Sequence, residues 1–226
     1  MIIPIHVFSK TQVARIREQL DKSDWVDGRV TAGSQASGVK INQQLPERSP
    51  LARQLGDAIL TALANHPLLI SAALPLKIYP PMFNRYRQGE TYGHHVDNAI
   101  RVVPDAIVRV RTDVSATLFL SEPDEYEGGE LTIEGKYGEQ TVKLPAGDMI
   151  LYPSCSLHRV APITSGVRVS SFFWMQSMVR HNEQREMLFD LDQSIQSLTH
   201  LHGHQHDDVM RLTGIYQNMI RLWSDT

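Results

Sequence analysis

From about Leu76 to Met175 the apolar residues alternate with a period of two. The segments LKIY, MFNRYR, SATLFL, GELTIE, QTVKL, DMILYP and VRVSSFFWM follow one another, separated by proline and glycine. Period-two alternation marks strands with one buried face, and many short strands without intervening helices indicate a β-sandwich or barrel. Gly128-Gly129 and Pro145-Ala-Gly-Asp148 read as tight turns between them. The period is helical on both flanks. Ser9 caps a segment with Val13, Ile16 and Leu20 on one face, and Ser49-Pro50 opens a second with Leu51, Leu55, Ile59 and Leu63, stopped at Asn65-His66-Pro67. Beyond about Met178, Met187, Leu188, Leu191, Ile195 and Leu198 form one stripe, and Val209, Leu212, Tyr216, Met219 and Trp223 another. The expected fold is mainly β with flanking helices: a double-stranded β-helix, or jelly roll, plus a C-terminal helical hairpin. Residues 1–176 would be the jelly-roll domain with its N-terminal helices, and 177–226 a helical extension.

Within the strand region, YGHHVD at Tyr92–Asp97 places a histidine and an aspartate two residues apart. In an extended segment residues i and i+2 share a face, so His95 and Asp97 form a two-ligand clamp and His94 points the other way. The tail holds a second pair of this form, His206 and Asp208, without a downstream histidine, strand context or arginine to support it. A third candidate ligand for the first pair is His158 in DMILYPSCSLHRV, which follows a strand. Two histidines and one carboxylate on one face of a metal leave three positions open, which suits Fe(II) oxygen chemistry; zinc tolerates the same donors. Arg168 follows Thr164-Ser-Gly166, read as a turn, so it is expected on the strand neighbouring that of His158, near the metal but too far to ligate it. Fe(II) with one aspartate keeps a single positive charge, and a bound dicarboxylate reverses it. One buried guanidinium then restores neutrality and grips the distal carboxylate through two parallel hydrogen bonds.

These segments, RYRQGETYGHHVDN, GGEL, PAGDMILYPSCSLHRV and GVRVSSFFW, resemble the Fe(II)- and 2-oxoglutarate-dependent dioxygenases, most closely the bacterial PKHD-type hydroxylases associated with iron uptake. The likeness covers about 76–176, and the C-terminal hairpin is similar to the extension of those proteins. It implies that His95, Asp97 and His158 are the catalytic iron ligands and that Arg168 holds 2-oxoglutarate. It implies that Tyr86, nine residues before His95, donates its hydroxyl to the same carboxylate, and it puts Tyr92 in the place of a second tyrosine near the substrate. Phe119 departs from the pattern, standing where a further co-substrate tyrosine can sit. The implied cofactors are Fe(II), 2-oxoglutarate, O2 and L-ascorbate. The implied reaction hydroxylates an unactivated C–H of a peptidyl or small-molecule substrate, with succinate and CO2 as co-products.

The rest of the chain bounds this reading. A formal charge of −3 over 226 residues gives no basic field for nucleic acid, and no run of about 18 apolar residues offers a membrane span. A single cysteine, Cys155, excludes an internal disulfide, fits a reducing cytoplasm and reads as a small buried filler. The tract His200-Leu-His-Gly-His-Gln-His206 reads as a solvated loop between helices, with auxiliary metal binding the alternative. Arg101, Arg109 and Arg111 flank an expected loop, and the functional alternative to a solvated basic loop is a lid favouring carboxylate-bearing substrates. The stripes of the C-terminal hairpin offer a surface for a second copy of the chain. Two other readings share the barrel: a cupin-like metalloenzyme, and a non-enzymatic iron-homeostasis binding protein.

Overall fold

A computed structural model describes residues 1–31, 37–135 and 138–226. The period-two segments form two large antiparallel sheets. The larger has eight strands, ordered Ile3–His6, Asp148–Pro153, Val114–Phe119, Arg168–Ser177, Met82–Tyr86, Gln43–Gln44 and Val26–Asp27, with Pro75–Ile78 pairing to the far end of Arg168–Ser177. The smaller has five, ordered Gly138–Val142, Leu131–Gly135, His158–Val160, Thr91–His95 and Lys40–Ile41. Together they make the jelly-roll core.

The strand Val114–Phe119 shows how the sequence divides the interior. All six residues are buried. Val114, Ala116 and Leu118 belong to the main core, which they share with the N-terminal helices. On the other face Ser115 and Thr117 line a cavity, and Phe119 joins a second cluster with Leu131, Ile133 and Val160 of the smaller sheet. Hydroxyls alternating with aliphatic residues thus mark a strand covered on one side by helices and on the other by a polar cavity.

Helix α1, Lys10–Asp21, is capped by Ser9 in a capping box with Gln12 and buries Val13, Ile16 and Leu20. Helix α2, Pro50–Leu63, is capped by Ser49, whose side chain accepts from the Ala52 amide, and buries Leu55, Ile59 and Leu63, with Leu51 only half-buried. His66-Pro67 does more than stop it. The His66 side chain accepts from the Leu69 amide and Pro67 opens a further helix, α3, Pro67–Ala73, because a proline at the first helical turn needs no amide partner. The N-terminal strand Ile3–His6, unforeseen in the sequence, alternates buried and exposed residues and closes one edge of the larger sheet against Asp148–Pro153.

The loop expected between Arg101 and Arg109 closes a hairpin, Ile100–Val102 with Arg109–Arg111. Three further expectations are corrected. The segment Ile163–Gly166 is not a plain turn but a strand paired with Tyr126–Gly128. The histidine tract is not wholly a loop: His200 and His202 end α4, Asn182–His202, Gly203 follows it, and His206 caps α5, Asp207–Trp223. Cys155 is exposed rather than buried, lying in the turn after Pro153 with its Sγ 3.3 Å from Asn182 Nδ2. Helices α4 and α5 form the C-terminal hairpin, which packs Leu188, Tyr216, Met219 and Trp223 around Leu74 and Val179. No helix among the described residues is long and apolar enough to cross a membrane.

Candidate active site

His95 and His158 are directly opposed on adjacent antiparallel strands of the smaller sheet, with ring centroids 4.2 Å apart. Asp97 lies two residues past His95, as the alternation requires, and its Oδ2 is 3.8 Å from His158 Nε2. One donor atom from each of the three lies within 4.8 Å of the others. Both histidines use the same local device. His95 Nδ1 is 2.8 Å from the Gly93 carbonyl oxygen, and His158 Nδ1 is 3.0 Å from that of Ser156. A carbonyl oxygen only accepts, so each Nδ1 carries a proton and each Nε2 is the ring atom left to bind a metal. Burial, and next the neighbouring His158, hold the proton affinity of His95 well below its ordinary value, which keeps the ring neutral. Two imidazoles and a carboxylate converging in one cavity fit a divalent metal of intermediate softness. His94 lies outside this set, exposed, with Nε2 3.6 Å from Glu134.

Asp97 has its own support. Ser115 Oγ donates to Asp97 Oδ2 at 2.7 Å and shares a 2.8 Å hydrogen bond with Ser154 Oγ. Partners that orient a metal's ligands typically govern 10–100-fold in affinity. Ser115→Ala is therefore expected to weaken metal binding by roughly 10–100-fold, measured by competitive chelator titration. An unchanged affinity would show that Asp97 holds its position without the hydroxyl.

Arg168 reaches the same cavity by a different route from the expected one. It does not neighbour His158; it begins the long strand of the larger sheet and stands opposite Tyr86 in register. The alternation that turned His158 inward does so again from the facing sheet. Only 1% of Arg168 reaches solvent. Its Nη1 donates to Ser170 Oγ at 2.8 Å, and its Nε finds no hydrogen-bond partner. The guanidinium carbon lies 5.3 Å from the Tyr86 ring centre and 5.2 Å from that of Phe119. A buried fork with an unused donor is a fitting receptor for a carboxylate. Tyr86 is equally buried, and that burial pushes its hydroxyl up to about 12, so it keeps the proton it would donate. Gly129, the second glycine of GGEL, clears the way. Its φ is +67°, and a Cβ there would lie 2.3 Å from Ile163 Cδ1 and 3.2 Å from Arg168 Cδ.

Tyr92 stacks on the His95 ring at 3.5 Å between centroids. Three other groups escaped the sequence reading. Tyr126 buries a hydroxyl without a hydrogen-bond partner, beside Gly129 and Arg168. Tyr152 meets His158 edge to face at 5.1 Å. Lys40 lines the cavity from the edge of the smaller sheet. Tyr126 stands just before the turn read at Gly128-Gly129 and Tyr152 in the strand read as DMILYP, but nothing local aimed them at the site. Lys40 lies in KINQQ, which carries no motif. Of the remaining candidates, Arg101 lines the cavity, whereas Arg111 forks onto Asp113 and Arg109 is exposed. His206 and Asp208 are 4.0 Å apart and exposed, with no third ligand near them among the described residues.

Two family profiles match the chain: the 2OG-Fe(II) oxygenase superfamily over residues 81–176, and the PKHD-type hydroxylase C-terminal domain over 182–225. A PKHD-type hydroxylase of Methylobacillus flagellatus is 58% identical over the whole of both chains. One of Saccharophagus degradans is 57% identical over 98% of this chain and 97% of its own. Among solved structures, a Pseudomonas putida prolyl-4-hydroxylase aligns with a TM-score of 0.51 at 22% identity, covering 78% of this chain and 92% of its own. HygX of Streptomyces hygroscopicus, solved with nickel, 2-oxoglutarate and hygromycin B, aligns at 0.52 and 18%, covering 78% and 82%. These two likenesses speak for the jelly-roll fold, while the identity to the curated relatives speaks for the family. The chain belongs to the bacterial PKHD-type hydroxylases, and is an Fe(II)- and 2-oxoglutarate-dependent dioxygenase of the 2OG-Fe(II) oxygenase superfamily.

Proposed function

We propose that His95, Asp97 and His158 hold the iron, that Arg168 and Tyr86 hold the distal carboxylate of 2-oxoglutarate, and that the enzyme hydroxylates an unactivated C–H of a small-molecule or peptidyl substrate. The observation carrying this reading is the meeting of two imidazole Nε2 atoms with Asp97 in one cavity, while a buried guanidinium opens into it from the facing sheet. When bound, iron with 2-oxoglutarate and O2 supplies the oxidation: 2-oxoglutarate becomes succinate and CO2, and the substrate C–H becomes C–OH. The chain's own part is positioning and exclusion of water. The carbonyls of Gly93 and Ser156 fix the ring orientation of the two histidines, Ser115 steadies Asp97, and Tyr92 covers His95. We propose L-ascorbate as the accompanying reductant, and the lone cysteine accords with a cytoplasmic enzyme.

Anaerobic addition of Fe(II) and 2-oxoglutarate to the metal-free protein is expected to give the weak visible charge-transfer band of an iron–oxo-acid chelate. Asp97→Ala is expected to abolish it and to stop succinate release. An Asp97→Ala protein that forms the band at wild-type iron concentration would overturn the ligand assignment.

A further inference from the structure

The cavity contains two more cations, for which iron and 2-oxoglutarate supply no role. Lys40 stands on the edge strand Lys40–Ile41, opposite Tyr92, and only 3% of it reaches solvent. Its ammonium lies 5.4 Å from the Tyr92 ring centre and 5.7 Å from that of Phe172, and it donates to Gln44 Oε1 at 3.1 Å. Arg101, on the hairpin beyond Asp97, folds back so that its guanidinium lies 4.6 Å from the Trp174 ring centre and 5.2 Å from that of Tyr79, with Glu47 at 3.9 Å. Phe172 and Trp174 are two apart on one strand, share a face and meet edge to face at 5.7 Å. The two cations therefore stand over one aromatic floor. Burial, and then repulsion from Arg101, lower the Lys40 ammonium to about 8, so the pair is held together against a cost.

The charges point the same way. With Fe(II), Asp97, a 2-oxoglutarate dianion and Arg168 in place, the metal centre is neutral. Lys40 and Arg101 then add two positive charges, with Glu47 beside Arg101 and with Asp27, itself paired with Arg29, also acting on Lys40. Their surroundings also differ from the co-substrate's. Arg168 is walled by Tyr86 and Phe119, whereas Lys40 and Arg101 are framed by Tyr92, Phe172 and Trp174. A planar guanidinium beside a point-charge ammonium matches a planar carboxylate, and aromatic rings beneath them match an apolar body.

We infer that Lys40 and Arg101 form the receptor for a carboxylate of the substrate, so that the enzyme acts on a carboxylate-bearing molecule whose apolar part rests on Phe172 and Trp174. The inference depends on the proposed function, since that reading assigns the third cation, Arg168, to 2-oxoglutarate.

The test uses full-length protein loaded anaerobically with Fe(II) and saturating 2-oxoglutarate, so that Arg168 is occupied. Phenylacetate and phenylacetamide are titrated in, then Gly-Gly-Phe with a free or an amidated C-terminus. Binding is followed by tryptophan fluorescence and by perturbation of the visible band. At least one acid is expected to bind roughly tenfold or more tightly than its amide, as loss of a charge-assisted hydrogen bond implies. A preference confined to phenylacetate assigns the carboxylate to a small acid, and one shared by the tripeptide assigns it to a peptide terminus. Arg101→Gln and Lys40→Gln are expected to bring the ratio towards one, and Arg101→Lys, which keeps the charge but loses the planar fork, to keep only part of it. Equal affinity of acid and amide in wild type, no binding of either acid, or a preference surviving both glutamine variants overturns the inference. So does a Lys40→Gln protein whose loss is in 2-oxoglutarate affinity instead. Absence of the band before any probe is added marks failure of the underlying function.

Discussion

Replacing Arg168 by methionine is expected to abolish 2-oxoglutarate binding while leaving the ligand-free protein at least as stable as wild type. The two effects have opposite signs because the guanidinium, in the role we propose for it, serves the ligand and not the fold. It is almost wholly enclosed, its Nε has no hydrogen-bond partner, and among the described residues no ion pair to a carboxylate involves it. An uncompensated buried charge destabilises a folded chain, and a methionine of similar length can fill the space against Tyr86 and Phe119. The co-substrate, by contrast, loses the partner of a buried carboxylate, which costs about 3–5 kcal/mol, or on the order of a hundredfold to several thousandfold in affinity. Wild-type protein should therefore gain thermal stability from 2-oxoglutarate by mass action, about 2.7 kcal/mol at a hundred times Kd. Arg168→Met should start at an equal or higher melting temperature and gain nothing. A variant that melts well below ligand-free wild type, or that still responds to 2-oxoglutarate at wild-type concentrations, would show that the arginine is part of the framework.

The route by which Arg168 arrives shows what alternation reveals and what it conceals. Period two told which face of each strand looks inward. It therefore brought His95 and Asp97 together and turned His94 outward, because that decision is made within three residues. It did not tell which sheet a strand joins. Thr164-Ser-Gly166 has the composition of a turn, so Arg168 was expected beside His158. The chain instead pairs Ile163–Gly166 with Tyr126–Gly128 and crosses to the larger sheet. Both readings put the guanidinium in the cavity, so the residue was legible and its path was not. The helices divide similarly. Ser9 and Ser49 announce their helices by local capping chemistry, whereas His66 caps α3 with a ring nitrogen, a use that composition does not advertise. Lys40 and Arg101 are the hardest case. Neither belongs to a motif, and three arginines in one hairpin look alike along the chain. Only the fold separates Arg111, taken by Asp113, from Arg101, laid across Trp174.

Cutting the chain after Ser177 is expected to yield a protein that does not fold cooperatively, although the family profiles meet near that point and we propose 177–226 as a distinct helical extension. The C-terminal hairpin finishes the barrel's helical side. Leu74 and Val179, both buried, share a cluster with Leu188, Tyr216, Met219 and Trp223, so truncation removes Val179 and uncovers Leu74. Phe189 packs against the main core. Polar ties are lost as well. Ser71 Oγ donates to Asp192 at 2.6 Å, the Met1 ammonium pairs with Glu186, and buried Arg185 donates to the Asp113 carbonyl. Each large apolar side chain uncovered costs about 1.5–3 kcal/mol, and each satisfied buried group about 1 kcal/mol more. Their sum approaches the roughly 5–15 kcal/mol that holds a whole domain folded. The 1–177 fragment should bind a hydrophobic dye, lack a sharp thermal transition and aggregate, even though every residue proposed for the iron site is still present. Recovery of a monodisperse fragment with a cooperative melt and the 2-oxoglutarate band would show instead that the barrel stands alone and that the hairpin's purpose lies elsewhere.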